Sequence, residues 1–174
     1  MWVRSEYAGE LAVLSTWLCG LAPWAVTWIA RGEATGYFFW FHAINLLFTP
    51  GLNIPGERPL WVWGFLEFSV YTGETYATYL WLAGTGVFGV ALGLSVAYYV
   101  AEERIQSLTV DPVKILGGLL VASAVLLGGA CVLLVRNHLG TTVPVGVVLQ
   151  VVLGVILLRT ERIERSDDAT AQSA

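Results

Sequence analysis

Residues 75–101, TYATYLWLAGTGVFGVALGLSVAYYVA, form the longest stretch of the chain without a charged side chain, and Glu74 and Glu102 bound it. An α-helix of this length extends about 40 Å, whereas the hydrocarbon of a bilayer is about 30 Å thick. Backbone groups in lipid find no hydrogen-bond partner outside their own helix. The stretch therefore predicts a membrane-spanning helix over about residues 77–101.

The composition of the whole chain indicates the same class of protein. Of its 174 residues, 56% are apolar and only 13% are charged, whereas soluble domains carry about 25% charged residues. Two cysteines are too few for a disulfide scaffold. A net charge of −4 without a basic run argues against nucleic-acid binding. We therefore expect an integral membrane protein whose first partner is the lipid bilayer.

Three further charge-free gaps are long enough to cross a bilayer once, and they predict helices over about residues 11–30, 115–135 and 142–158. The expected fold class is all-α, a polytopic integral membrane helical bundle with four long transmembrane helices. Residues 1–160 would form this domain, and residues 161–174 would form a polar cytoplasmic tail.

Residues 37–72 contain two short aromatic runs, which are separated by Pro50, Gly51, Pro55 and Gly56. Each run is too short to cross a bilayer upright, and Trp and Tyr side chains favour the headgroup level. The pattern predicts a short aromatic hairpin that is re-entrant or interfacial. Five or six crossings in total are the alternatives.

Basic residues in the short loops predict the orientation, because Lys and Arg accumulate on the cytoplasmic side of a membrane. Four crossings place Arg31, Arg58 and Arg136 on one side, and the larger group on the other side: Arg4, Arg104, Lys114, Arg159, Arg162 and Arg165. We therefore expect a cell-membrane protein with both termini in the cytoplasm. Five crossings would remove the basis of this assignment.

Small residues at steps of four predict the faces through which the helices pack, since helices in lipid associate by close approach at small side chains. One such face holds Thr85, Gly89, Gly93 and Ala97; another holds Gly146, Gln150 and Gly154. Gln150 would thus point into a helix–helix contact rather than into lipid. The alternative function of the longer face is to line a small pore.

Three polar residues within the aromatic hairpin form a candidate polar site. His42 and Asn45 lie three residues apart, hence on one face of a helix, and Glu67 lies in the partner run. Polar groups at membrane depth usually face a partner or a cavity. The group predicts either a clasp that holds the hairpin together or a site for a proton or a polar ligand. Exposure to interfacial water is the third interpretation.

Sequence motifs for catalysis are incomplete. Gly84, Gly86 and Gly89 spell G-x-G-x-x-G, but they lie inside a charge-free gap rather than after a strand. Ser95 lies in a partial nucleophile elbow that lacks its second glycine and a histidine base. His42 and His138 are the two histidines, and no metal-binding spacing includes them. The sequence therefore predicts no enzyme, no cofactor and no metal site.

Three segments carry a resemblance to a known family: WVRSEYAGELAVLSTWLCGLAPWAVTW near the N-terminus, the aromatic WFHAINLLFTPG and ERPLWVWGFLEFSVYTG. Through them the chain resembles a family of small, uncharacterised multi-spanning membrane proteins of halophilic archaea, some encoded near HtrA-type proteases. The resemblance covers most of the chain and implies no activity for particular residues.

Two hypotheses about function follow. The first is a non-enzymatic multi-pass membrane protein that serves as an accessory or scaffold subunit, with a second copy or another membrane protein as its partner. The second is a small proton-linked transporter or polar-ligand carrier that uses His42, Asn45 and Glu67.

Overall fold

A computed structural model of the chain describes residues 2–31, 34–50, 60–61, 75–100, 111–136 and 140–163. The helices in these ranges are α1 (Ser5–Leu21), α2 (Thr75–Val100), α3 (Pro112–Arg136) and α4 (Val145–Leu158). The strands are β1 (Trp2–Arg4), β2 (Ala25–Arg31), β3 (Ala34–Trp40), β4 (Ile44–Phe48), β5 (Leu60–Trp61), β6 (Thr141–Val143) and β7 (Glu161–Ile163).

The strands form two sheets. Strands β2 to β6 make an antiparallel sheet of five strands in the order β5-β4-β3-β2-β6. Strands β1 and β7 make a parallel pair in which Trp2 lies beside Glu161 and Arg4 beside Ile163. Because α1 leads from β1 to β2 and α4 leads from β6 to β7, the two sheets lie at opposite ends of the helices. Residues 2–4 and 161–163 therefore lie at the same end of the bundle.

The predicted span over residues 11–30 is wrong, since α1 ends at Leu21 and residues 25–31 form β2. Pro23 cannot donate the backbone hydrogen bond that a continuing helix requires. The β-branched residues that follow favour extended backbone. Along β2, Ala25 and Thr27 are buried whereas Trp28 is exposed, which is the alternation of a strand with one covered face.

The all-α fold class implied a helical aromatic hairpin, and this is also wrong, because β3 and β4 are strands of the antiparallel sheet. In their register, Tyr37 pairs with Phe48 and Trp40 pairs with Asn45. Their backbone groups are satisfied by neighbouring strands, so the aromatic runs need not be helical. Most of the second run, including Glu67, lies outside the described residues.

The all-α fold class with four long transmembrane helices is therefore corrected to a helical bundle with an antiparallel sheet at one end. Within the described residues, only α2 and α3 are long and apolar enough to cross a bilayer. The fourth predicted span is the 14-residue α4, which extends only about 21 Å. The multi-pass prediction with four crossings is wrong, because only two of the described helices meet this length and hydropathy, and even such helices also occur in the cores of soluble proteins.

The core consists of two clusters along the bundle. The cluster next to the five-stranded sheet is built on three tryptophans with residues of α2, α3 and α4: Trp24, Trp40, Trp81, Ala124, Leu127, Leu134 and Val147. The cluster nearer the β1–β7 pair joins all four helices: Ala8, Ala12, Cys19, Phe88, Ala91, Leu116, Leu120 and Leu157. The sheet thus shares the first of these clusters with the helices.

Candidate functional site

The turn between β3 and β4 is held from two sides. It closes on itself through the Phe41 amide, which donates to the carbonyl oxygen of Ile44 at 2.8 Å. The indole nitrogens of Trp24 and Trp81 both donate to the carbonyl oxygen of Phe41, at 3.1 and 3.0 Å. The chain before β2 and helix α2 therefore fix the turn at the same atom.

His42 lies in this turn and connects α2 with α4. Its carbonyl oxygen accepts a hydrogen bond from the hydroxyl of Thr85. Its imidazole ring stacks on Phe88 at a centroid distance of 3.8 Å and an interplanar angle of 23°. Its Nε2 lies 2.7 Å from Nε2 of Gln150 on α4. The imidazole thus contacts one side chain of α2 and one side chain of α4.

The protonation state of His42 follows from its surroundings. With the amide nitrogen of Gln150 turned toward His42, it donates to Nε2, and this assignment of the amide puts the proton of the neutral ring on Nδ1. Burial lowers the pKa of His42 from 6.5 to about 4, because it disfavours the charged imidazolium. At neutral pH the ring is therefore an uncharged hydrogen-bonding group.

Several polar atoms of His42, Asn45 and Gln150 are buried without a hydrogen-bond partner among the described residues. His42 is 7% exposed, Asn45 is 1% exposed and Gln150 is fully buried. The unpaired atoms are Nδ1 of His42, both amide atoms of Asn45 and Oε1 of Gln150. An unpaired buried polar group costs about 1–3 kcal/mol. In native proteins, unpaired buried groups accompany local strain, a functional role, or a bound water or ion.

The predicted polar site is only partly assembled by the described residues. His42 lies in the β3–β4 turn and Asn45 lies in strand β4, which follows it. The two residues therefore do not share one face of a helix. Glu67 lies outside the described residues. The partner of His42 is Gln150, which the sequence placed only in a helix contact. In the sequence, Gln150 stands out as a single polar side chain in the otherwise apolar α4. The sequence could not show which residue it contacts.

A groove of about 640 Å³ opens beside His42. Its walls are α1, the β3–β4 turn and α2, and its lining is mostly apolar: Trp17, Gly20, Leu21, Phe41, His42, Ala43, Ile44, Thr85, Phe88, Gly89, Leu92 and Val96. No charged side chain is among these residues. The groove is therefore an apolar channel with the imidazole of His42 in its wall.

The face of α4 that was predicted for packing points inward. A Cβ at Gly146 would lie 2.5 Å from the carbonyl oxygen of Pro23, and one at Gly154 would lie 2.9 Å from the carbonyl oxygen of Gly117. Gln150, between them, is buried against His42. The glycines thus allow α4 to approach neighbouring backbone closely enough for this contact.

The predicted packing face on α2 is largely exposed instead. Thr85 binds the β3–β4 turn and Gly89 borders the groove. Gly93 and Ala97 are exposed, and a Cβ at Gly89 or Gly93 would meet no described atom within 4 Å. The inward face of α2 holds larger side chains, among them Trp81 and Phe88. Within the described residues, the small-residue face of α2 is therefore left uncovered.

Other side chains that could act as nucleophiles include a serine that is hydrogen-bonded and two cysteines that are buried. The hydroxyl of Ser95 donates to the carbonyl oxygen of Leu92 and accepts from the indole of Trp17, at 2.8 and 3.2 Å. Cys19 and Cys131 are buried, free thiols. The described part of the chain has no group of three or more His, Cys, Asp or Glu that could hold a metal ion. The arrangement around His42 can offer neutral hydrogen bonds beside an apolar surface.

These features define a small helical bundle that an antiparallel sheet closes at one end, with a neutral polar cluster between them. Residues 1–162 match a family of unknown function, DUF7549, and the chain belongs to that family. The expected membership of an uncharacterised family is confirmed at this level. A comparison with curated proteins found no match.

Proposed function

We propose that the protein is a non-enzymatic accessory or scaffold protein that associates with the cell membrane. The observation that carries this proposal is the apolar surface of the helices. Tyr99 on α2 is 73% exposed and Val125 on α3 is 68% exposed. They belong to a larger set of exposed side chains on these two helices: Tyr76, Tyr79, Leu82, Val90, Leu92, Val96, Val100, Val132 and Val135. Soluble monomers rarely expose contiguous apolar patches beyond a few hundred Å².

The distribution of charge supports contact with lipid. Helix α2 carries no charged residue, and α3 carries Lys114 near its beginning and Arg136 at its end. The exposed surface between those two ends is therefore uncharged, which suits acyl chains, where a charge would be costly. The resemblance to membrane proteins of halophilic archaea supports the same placement.

The exposed small-residue face of α2 supports the scaffold part of the proposal. Gly93 and Ala97 are uncovered by the described residues. Small residues four apart let a second helix approach closely in lipid. We take that helix to belong to a second copy of the chain. Gly93→Leu should then convert an oligomer into a monomer in mild detergent, whereas Gly118→Leu on α3, where an added Cβ also meets nothing within 4 Å, should leave it unchanged.

Extraction of the full-length protein from membranes tests the central claim. We expect the protein to stay in the membrane pellet in alkaline carbonate and in high salt, and to be released by a mild detergent. A protein that is monodisperse in plain buffer would refute membrane association. A detergent-solubilised monomer that purifies without any partner would refute the scaffold role alone.

A polar-ligand carrier is the second candidate function, and the unpaired buried atoms of His42, Asn45 and Gln150 favour it. Because burial lowers the pKa of His42 to about 4, the cluster suits an uncharged solute better than proton coupling. Proteoliposomes in a glycerol gradient should swell faster with the wild type than with Asn45→Leu. Equal swelling rates would refute this candidate.

A further inference from the structure

The groove beside His42 has the shape of a binding site for a chain-like molecule. Its volume of about 640 Å³ falls within the roughly 300–1,000 Å³ of small-molecule sites. Leu21, Leu92 and Val96 on its walls are partly exposed, so the groove is open along the side of the bundle. An alkyl chain could therefore enter from the same apolar surroundings that contact α1 and α2.

The polar end of the groove is made by His42. Nε2 of its ring is occupied by Gln150, which leaves the Nδ1 proton without a partner among the described residues. Thr85, the other polar side chain of the lining, already donates its hydroxyl proton to the His42 carbonyl oxygen. A ligand atom that satisfies the imidazole must therefore accept a hydrogen bond.

We propose that this groove binds a neutral single-chain amphiphile, whose head oxygen accepts a hydrogen bond from His42 and whose alkyl chain lies along Gly89, Leu92 and Val96. Nδ1 is buried in the free protein, so binding requires the imidazole to move within the fixed turn until this atom faces the groove. The inference shares His42 with the second candidate function but requires no transport of the ligand.

The absence of charge in the groove selects the class of ligand. A carboxylate or ammonium head would lose its hydration without gaining an opposite charge, since no charged side chain lines the groove. A hydroxyl or ester head loses less hydration and recovers a hydrogen bond from the imidazole. Monoacylglycerols and long-chain alcohols belong to this class, whereas ionised fatty acids do not.

The test uses the full-length protein in phospholipid nanodiscs, because a nonionic detergent is itself a neutral single-chain amphiphile and would compete for the groove. Native mass spectrometry counts the bound ligand. Monoolein should form a saturable one-to-one complex. Oleate, which has the same chain with an ionised head, should bind about tenfold more weakly at pH 8, as expected for a loss of about 1.4 kcal/mol. His42→Phe should lower the affinity for monoolein and reduce its advantage over oleate.

Substitutions at two glycines of α2 test where the alkyl chain of the ligand lies. Gly89→Leu should fill the groove and weaken monoolein binding about tenfold or more. Gly86→Leu should leave binding unchanged, because Gly86 is exposed on the same helix but does not line the groove. Val96→Trp fills the groove from one wall and provides an independent variant should Gly89→Leu fail to fold.

Distinct outcomes would overturn the inference. Equal binding by the wild type, Gly89→Leu and Val96→Trp would place the ligand elsewhere. Equal affinity for monoolein and oleate, unchanged in His42→Phe, would refute the role of the imidazole. Binding of monoolein without glycerol flux would keep this inference and remove the carrier function, whereas flux without monoolein binding would do the reverse.

Discussion

Trp24 and Trp81 donate their indole N–H groups to one acceptor, the carbonyl oxygen of Phe41, at 3.1 and 3.0 Å. Their rings are tilted by 48° with centroids 6.2 Å apart. A carbonyl oxygen has two lone pairs, so it can accept both bonds. The two indoles come from sequence positions on either side of the β3–β4 hairpin. This shared acceptor is what fixes the turn that carries His42.

The shared acceptor predicts that Trp24 and Trp81 are coupled in stability. Replacement of either indole by Phe leaves the Phe41 carbonyl with one donor, whereas the double replacement leaves it with neither indole. We expect the double variant to lose about 1 kcal/mol more than the two single losses combined. Thermal unfolding of the four proteins in mild detergent measures this difference. Additive losses would show that the two bonds act independently.

The burial of His42 predicts a loss of stability in acid. Its pKa is about 4 in the folded protein and 6.5 in its ordinary state. Between these values the unfolded chain binds more protons than the folded one, so the free energy of unfolding decreases as the pH falls from 6.5 to 4. The complete effect is about 3 kcal/mol. Above pH 6.5 the ring is neutral in both states and the effect vanishes.

The variant His42→Gln isolates this effect from the titration of carboxylates. Carboxylates titrate alike in the two proteins, so the difference between their stabilities reports the imidazole alone. That difference should move in favour of the variant by about 2–3 kcal/mol between pH 7.5 and pH 4.5. A difference that stays constant with pH would mean that His42 takes up its proton as easily in the folded protein as in the unfolded chain.

Two adjacent glycines of α3 predict opposite effects of the same substitution. A Cβ at Gly117 would lie 2.9 Å from the carbonyl oxygen of Gly154 and 3.0 Å from the Cβ of Leu157, whereas one at Gly118 would meet nothing within 4 Å. We expect Gly117→Ala to cost about 1–3 kcal/mol, because α3 and α4 must separate. Gly118→Ala should stabilise the protein by about 0.5–1 kcal/mol through its helix propensity. Thermal unfolding of both variants distinguishes the crossing glycine from its neighbour.

The charge-free gaps predicted the two longest helices correctly, since α2 and α3 occupy residues 75–100 and 112–136. The same rule failed for residues 25–31, because hydropathy does not distinguish an apolar helix from an apolar strand. Pro23 and the alternating burial of β2 carried that distinction. The gap merged α1 and β2 because no charged residue separates them.

The candidate site was less predictable than the helices. His42 and Asn45 were recognised as polar residues in apolar surroundings, and both are buried. Their spacing, which would place them on one face of a helix, was misleading. In a turn followed by a strand, two residues that are three positions apart need not share a face. Gln150 lies more than a hundred positions away along the chain. Only the antiparallel sheet, which brings Trp24 and the beginning of α4 together, places it beside His42.

The beginning of α4 predicts how the position of Gln150 is maintained. The amides of Gly146 and Val147 donate to the carbonyl oxygen of Trp24 at 3.1 and 3.2 Å. A Cβ at Gly146 would lie 2.7 Å from the Cα of Trp24, so Gly146→Ala must push α4 away from the chain before β2. Gln150 lies one helical turn further along and should then lose its bond to His42.

We therefore expect Gly146→Ala to lower the free energy of unfolding by about 1–3 kcal/mol and to make the stability difference between pH 7.5 and pH 4.5 smaller. The smaller acid effect follows because an imidazole released from Gln150 is less buried, and its pKa returns toward 6.5. Gly128→Ala is the matched control, since its Cβ would meet Val147 at an ordinary 3.7 Å. A Gly146→Ala protein that is destabilised but keeps the full acid effect would show that α4 moves without releasing His42.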